Sequence, residues 1–310
     1  MEEALRAKSE LILSKGLRVP AGFDHPMAES DGEGGGLMII SFGDSRMRMR
    51  YSTDSGDLEL RESDGRYSVH KGNECLIDDV GFVRAYCHSP YQANMNLTKF
   101  GSDDEILSYL DRLVSTGTVE GIPISGCSDV DRVCEVVSMI HSRYPDIPIG
   151  YSASPVSKED LLRLKAAGLS EFKITLGSTI PRIFALVNPD EDMDAIIGCL
   201  KDAVEVFGKG KVCTGISVGM NETDEEMVSM FERISSAGVL TDLKVKKITA
   251  KNRQRFEDAL GKIEPVTVDR LCMLGSKLKE IQERNGLDAR DMHTLCLACM
   301  CCNIVPFRDC

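Results

Sequence analysis

The sequence predicts an α/β protein: a partial (β/α)6 barrel of parallel strands, with a small N-terminal β-rich module before it and a Cys-rich C-terminal tail after it. Three observations carry that expectation. From Gly81 onward, apolar runs of strand length alternate six times with stretches whose apolar residues recur at three- and four-residue spacing. The first eighty residues instead hold short β-like runs separated by turn dipeptides such as SG and DG. The last fifteen residues carry five of the chain's 12 cysteines.

Taken in order, residues 2–15 read as a short amphipathic helix, followed by the Gly-rich acidic loop DGEGGG at 31–36. The runs LMIISFG, SRMRMRYST, DLELRE and RYSVH read as strands. In SRMRMRYS, Met47 and Met49 fall on one face and Arg48 and Arg50 on the other, as in a half-buried antiparallel strand. The strands of the second part are expected at 82–97, 121–126, 147–152, 171–177, 212–219 and 240–248. The helices between them include DEILSYLDRLV, DRVCEVVSMIHSRY, KEDLLRLKAAG, DMDAIIGCLKDAVEVFG and DEEMVSMFERISSAG. Ser102 or Asp103 can cap the first, Gly168 and Gly238 close two others, and a last helix runs over about 267–285. The chain therefore divides into 1–80, 81–250 and 251–310.

With 37 basic and 49 acidic residues the formal net charge is −12, which argues against a nucleic-acid or anionic-membrane surface for the chain as a whole. The one local basic strip is Lys244, Lys246, Lys247 and Lys251. No stretch reaches the roughly 18 apolar residues of a membrane span. Glu2 and Glu3 stand where a secretory signal carries positive charge, so the expected location is cytoplasmic. In a reducing compartment this many cysteines point to metal ligation or redox chemistry rather than a disulfide framework. Cys75, Cys134, Cys199 and Cys213 read as packing residues.

Three clusters carry chemistry. Cys296, Cys299 and Cys302 form C-x2-C-x2-C, with Cys301 adjacent and Cys310 beyond. That is the three-thiolate core of an iron–sulfur run, with Cys310, Cys272 or an outside group as fourth ligand. Zinc, which also takes four soft ligands, is the competing reading. The fifth strand, VCTGISVGMNETDEE, places Gly215, Gly219 and Glu222 where bare backbone lets a ligand approach at the C-terminal end of a strand. In the first strand Gln92, Asn94 and Asn96 share one face. Amides inside a parallel sheet imply a polar lining that meets ligand or water.

Together the six βα units, the GISVGMNE run and the preceding PRIFALVNPDEDMDAIIGCLKDAVEVFGKGKVCTG resemble the radical S-adenosylmethionine (SAM) superfamily, in its biotin-synthase-like branch, over about 81–250. The resemblance implies that Gly215, Gly219 and Glu222, with Ser217 in the usual isoleucine place, hold the adenosyl side of the cofactor. It likewise places Thr175 in ITLGS and Ser128 in SGCSD at positions that meet the rest of S-adenosylmethionine. Gln92, Asn94 and Asn96 would face the substrate. The implied cofactors are a [4Fe–4S] cluster and S-adenosylmethionine. The implied role, leaning toward an enzyme, lies in cofactor biosynthesis or metallocofactor maturation on a small-molecule or cofactor-precursor substrate.

One departure is sharp. The superfamily's C-x3-C-x2-C loop after the first strand is missing: 94–100 runs straight into GSDDEILSYL, with no cysteine between Cys87 and Cys127. Cys296, Cys299, Cys302 and Cys310 then resemble a second, C-terminal cluster that donates sulfur or iron or anchors substrate. The alternatives are a catalytically degenerate barrel serving as scaffold or partner of a related radical-SAM subunit, and a zinc-tailed barrel methyltransferase.

Overall fold

The computed structural model describes residues 2–85 and 89–310. Cys87 and His88, which fall in the first strand candidate, lie outside the described residues.

Helix α1 (Glu2–Leu13) opens the chain. The β-rich module contains β1 (Leu17–Arg18), β2 (Glu29–Ser30), β3 (Gly35–Phe42), β4 (Ser45–Ser52), β5 (Leu58–Ser63), β6 (Arg66–Lys71), β7 (Glu74–Ile77) and β8 (Gly81–Val83). The sheet order is β2-β3-β4-β1-β5-β6-β7, with β8 added on β3. In β4 the expected alternation is present: Met47 and Met49 are buried, Arg48 is half-buried and Arg50 exposed. Cys75 is exposed on β7 rather than packed, which corrects its reading as a core residue.

The second sheet has six strands, all parallel and in chain order: β9 (Met95–Asn96), β10 (Ile122–Ser125), β11 (Ile149–Ala153), β12 (Glu171–Ile174), β13 (Val212–Val218) and β14 (Leu240–Val245). Helices α2 (Asp103–Val114), α3 (Val130–Arg143), α4 (Lys158–Ala166), α5 (Pro181–Val187), α6 (Met193–Phe207) and α7 (Asp224–Ser235) connect these strands. After β14 come α8 (Arg253–Leu260), α9 (Val268–Arg284) and the short α10 (Leu295–Cys299). Ser102 caps α2, and Thr223 with Glu226 forms a reciprocal capping box on α7, so two otherwise unpaired backbone groups are satisfied at once.

The expected first strand over 82–97 is corrected. Its start, β8, pairs with β3 of the other sheet, and only Met95–Asn96 pairs with β10. Tyr91 sits at φ +59°, a left-handed conformation that interrupts an extended run.

Strand alternation gives the parallel sheet two unlike faces. Tyr151, Phe172, Ile216 and Leu243 pack with the helices in the main core. Cys213 and Leu240, on the other face, pack with Leu287, Met292, Leu295, Leu297, Met300 and Val305 of the C-terminal segment. The tail is therefore a layer of the fold. It enters at the N-terminal ends of the strands. There buried Glu171 accepts hydrogen bonds from His293 N (2.9 Å), Thr294 N (2.8 Å) and Thr294 Oγ1 (2.7 Å). It leaves by pairing with the outer edge of β14, where Leu243 and Ile304 exchange two backbone hydrogen bonds of 2.9 Å. Gln92 Nε2 donates to Leu295 O (3.0 Å), so the segment spans from the β14 edge to the β9 side.

A buried ion pair fixes its end. Lys8 Nζ on α1 meets Asp309 Oδ2 at 2.6 Å and Met300 O at 2.8 Å, while Ser45 Oγ and Val305 N donate to the same carboxylate. Both charged side chains are fully buried.

Candidate functional site

A cavity of about 590 Å³ opens at the C-terminal ends of β12, β13 and β14. Thr175, Gly177, Gly215 and Ser217 line it from the strands, Asp242 and Lys244 from β14, and Cys296, Cys302 and Asn303 from the tail. Met47 and Arg48 of β4 and Ile12 of α1 close it from the module side. Arg48 N donates to Cys301 O (2.9 Å), which ties β4 to the tail beside the opening.

The fifth-strand motif is split by this geometry. Gly215 and Ser217 reach the cavity, and Ser217 N donates to Gly177 O (2.8 Å). Gly219 has φ +102° and turns the chain away; a Cβ there would stand 2.9 Å from Val266. The buried carboxylate of Glu222 accepts from Gly219 N (2.8 Å), Met220 N (2.7 Å) and Arg270 Nη1 (3.1 Å). Its oxygens brace the turn after β13, and it is not among the cavity's lining residues.

The amides are also spent locally. Asn94 Nδ2 donates to Ser89 Oγ (2.9 Å), and Asn96 Oδ1 accepts from Thr98 N and Thr98 Oγ1. Gln92 is buried against the tail, with its Oε1 unpartnered. None of the three lines the cavity, and neither does Ser128, which is exposed.

The tail thiols occupy different environments. Cys296 Sγ lies 2.7 Å from Lys173 Nζ, and Cys302 opens on the same cavity. Cys299 and Cys301 pack together with Ile39, and the hydrogen bond between the two thiols lowers the pKa of Cys299 while raising that of Cys301. Cys310 is buried beside Gly275 O (3.7 Å) on α9, and Cys272 donates to Ser9 Oγ. Among the described residues, no three His, Cys, Asp or Glu side chains converge as a metal-holding set. The zinc reading gains no support. The superfamily's usual cluster does not fit either, because β9 passes through one 3₁₀ turn (Leu97–Lys99) directly into α2 with no thiol on the way.

Electrostatics separate the buried Lys173–Cys296 pair. Burial raises the pKa of Cys296, and the attraction of Lys173 only partly offsets it, so this group stays a thiol at neutral pH. Burial works to lower the pKa of Lys173, and its neighbours Cys296, Asp242 and Cys213 work to raise it.

Lys173 and Asp242 are the cavity-lining residues that periodicity passed over. Their signal was present: EFKITLG and LTDLKVKKI each put a charge at an inner position of a strand that a parallel sheet normally buries as apolar. Asn303 carried no comparable signal.

These features define a parallel α/β protein with a ligand-sized cavity at the strand C-termini, where such sheets collect their sites. The family model of the radical SAM superfamily matches residues 85–234 of this chain. The chain is similar to Biotin synthase 1 of Paracoccus denitrificans (strain Pd 1222), with 22% identity over 233 residues, 71% of this chain and 69% of that protein. It is also similar to Biotin synthase of Hydrogenobaculum sp. (strain Y04AAS1), with 25% identity over 148 residues, 45% of this chain and 43% of that protein. Among solved structures, coproporphyrinogen III oxidase from Escherichia coli, described as a radical SAM enzyme, aligns at TM-score 0.40 and 17% identity, covering 60% of this chain and 48% of that one. Methylornithine synthase aligns at TM-score 0.37 and 14% identity, covering 54% of each chain. The resemblance to the biotin-synthase-like branch thus stands with the cluster loop lacking. The match to that superfamily model carries the expectation of a [4Fe–4S] cluster and S-adenosylmethionine, and the residues after β9 do not fit that cluster. No helix among the described residues is long and apolar enough to cross a membrane.

Proposed function

We propose that this chain acts in cofactor biosynthesis or metallocofactor maturation on a small-molecule or cofactor-precursor substrate. Its reaction pocket is the strand-end cavity, and its tail thiols work inside that pocket. In this reading the six-stranded sheet is a partial barrel whose open seam is filled by the tail, and 1–80, 81–250 and 251–310 are its three parts. One observation carries the reading. Thr175, Gly215 and Ser217, which the superfamily resemblance assigns to the cofactor, share a single cavity with Cys296 and Cys302. Gly215 and Gly177 leave backbone open to a bound molecule, Lys173 holds Cys296 in place, and the tail backbone shields the inner face from water. Two thiols at the cavity do not complete a cluster site, so no step is routed through one.

Anaerobic purification with iron and acid-labile sulfide assays tests this. Iron and sulfide that fall together in a Cys296→Ser/Cys302→Ser variant would mean that ligands from outside the chain complete a cluster on these two thiols. Colourless protein lacking both, in every preparation, would remove the cluster from the tail. The missing loop favours a second reading, a catalytically degenerate barrel acting as scaffold or partner of a related radical-SAM subunit. Formation of 5′-deoxyadenosine from S-adenosylmethionine and reductant excludes that second reading.

A further inference from the structure

The deep end of the cavity carries two hydrogen-bond acceptors without partners. Asp242 is 1% exposed; its Oδ2 accepts from Asn303 Nδ2 (2.6 Å), but its Oδ1 has no partner. Asn303 is 6% exposed, and its Oδ1 is also unpartnered. Buried polar atoms left in this state cost free energy unless something fills them. The approach to Asp242 is kept open by Gly215, where a Cβ would stand 3.0 Å from that Oδ1. Two buried acceptors side by side call for an N–H donor.

The mouth has the opposite character. Lys244, Lys246 and Lys247 leave the end of β14, and Arg48 faces them from β4, all four lining the same cavity. Among the described residues, none of the four forms an ion pair. Burial lowers the pKa of Lys246, and its neighbours Lys244 and Arg255 lower it further, so positive charge there is crowded. In a chain of net charge −12, unpaired cations gathered at one opening focus an attractive field on anions. The basic strip in the sequence is thus the rim of this cavity.

We infer that the cavity takes a small molecule with two unlike ends: an amine or amide group seated on Asp242 Oδ1 and Asn303 Oδ1, and a carboxylate or phosphate held at the Lys244–Lys247 and Arg48 rim. This deepens the proposed function, since it takes the same cavity as the reaction pocket. Its test needs neither iron nor turnover, so the two can fail separately.

The probes are 6-aminohexanoate and O-phosphoethanolamine, with hexanoate and hexylamine as single-ended controls, followed by calorimetry on the full chain. At least one two-ended probe is expected to bind about tenfold more tightly than either control. The stronger of the pair identifies carboxylate or phosphate. Lys244→Gln/Lys246→Gln weakens the two-ended probe and hexanoate but spares hexylamine. Asp242→Asn weakens the two-ended probe and hexylamine but spares hexanoate. If Asp242→Asn does not fold, the rim variant, at exposed Lys244 and half-buried Lys246, decides alone. Saturable binding by none of the probes overturns the inference, as does a two-ended probe indifferent to the rim variant. Displacement of the two-ended probe by equimolar S-adenosylmethionine also overturns it, because the seat would then be the cofactor's own.

Discussion

At the scale of single residues, the fold depends on close approaches to bare backbone at the floor of the sheet. A Cβ at Gly150 would stand 2.0 Å from Thr294 Oγ1, and one at Gly121 would stand 2.5 Å from His293 O. Gly150→Ala therefore pushes the tail off the sheet while leaving the helical face untouched. The expected outcome is faster reaction of Cys296 with a thiol reagent in the folded protein, measured against Cys310 as internal control. Glu171→Ala strips three donors of their acceptor and costs about 3 kcal/mol in urea denaturation, on the scale for buried groups left unpaired to a charge. Part of this was legible in the sequence: Gly215, Ser217 and Thr175 were picked out and do reach one cavity. Glu222 was picked out for the same role, but a carboxylate three residues after a turn glycine can equally cap the turn's own N–H groups, and spacing alone does not separate the two.

Between elements, α1 and the tail are joined by Lys8 and Asp309, and these are joined in turn to β4 through Ser45. Removing one partner of a fully buried pair leaves an uncompensated charge, so Lys8→Met is expected to cost about 3–5 kcal/mol. Lys8→Met/Asp309→Asn removes both charges and keeps an acceptor for Val305 N, so it recovers more than half of that loss. A urea double-mutant cycle measures the coupling directly. Helices were the readable elements, because a three-to-four-residue apolar rhythm and a capping residue are local signals: Ser102, Thr223 and Thr267 each cap where a helix begins. The first strand was not readable. Its alternating amides imitate a half-buried strand, whereas Asn94 lies before β9 and Asn96 ends it, each bonded to a near neighbour in sequence. The ion pair joins residues 301 positions apart, a relation that carries no local trace.

For the whole molecule, buried thiols set the response to alkali. Burial raises the pKa of Cys199, Cys213 and Cys296, and lifts Cys310 to about 11. Tyr151 rises to about 12 for the same reason. Each group holds its proton more tightly folded than unfolded, so between the two pKa values the native state binds more protons and stability falls as pH increases. For Cys310 that window opens near the ordinary thiol value of 9.0 and closes near 11. Urea midpoints should therefore decline from about pH 9 upward. Cys310→Ala should decline less steeply. The expected α/β class and parallel strands were legible at this scale from rhythm alone, and the tail's position was not, since CLACMCCNIV reads as a ligand loop and serves as a layer of packing.

The placement of that layer has a consequence for synthesis. The sixth parallel strand is complete at Val245, yet its inner face packs against residues 287–305. A ribosome adding roughly 5–20 residues per second leaves the inner face of the sheet bare for a time on the order of seconds. During that interval Cys213, Lys173 and Asp242, all buried in the finished protein, stand open to solvent and to any small molecule present. Closure then comes from residues 300–309 reaching back to α1, so the nascent chain passes through an open vessel before it becomes a sealed one.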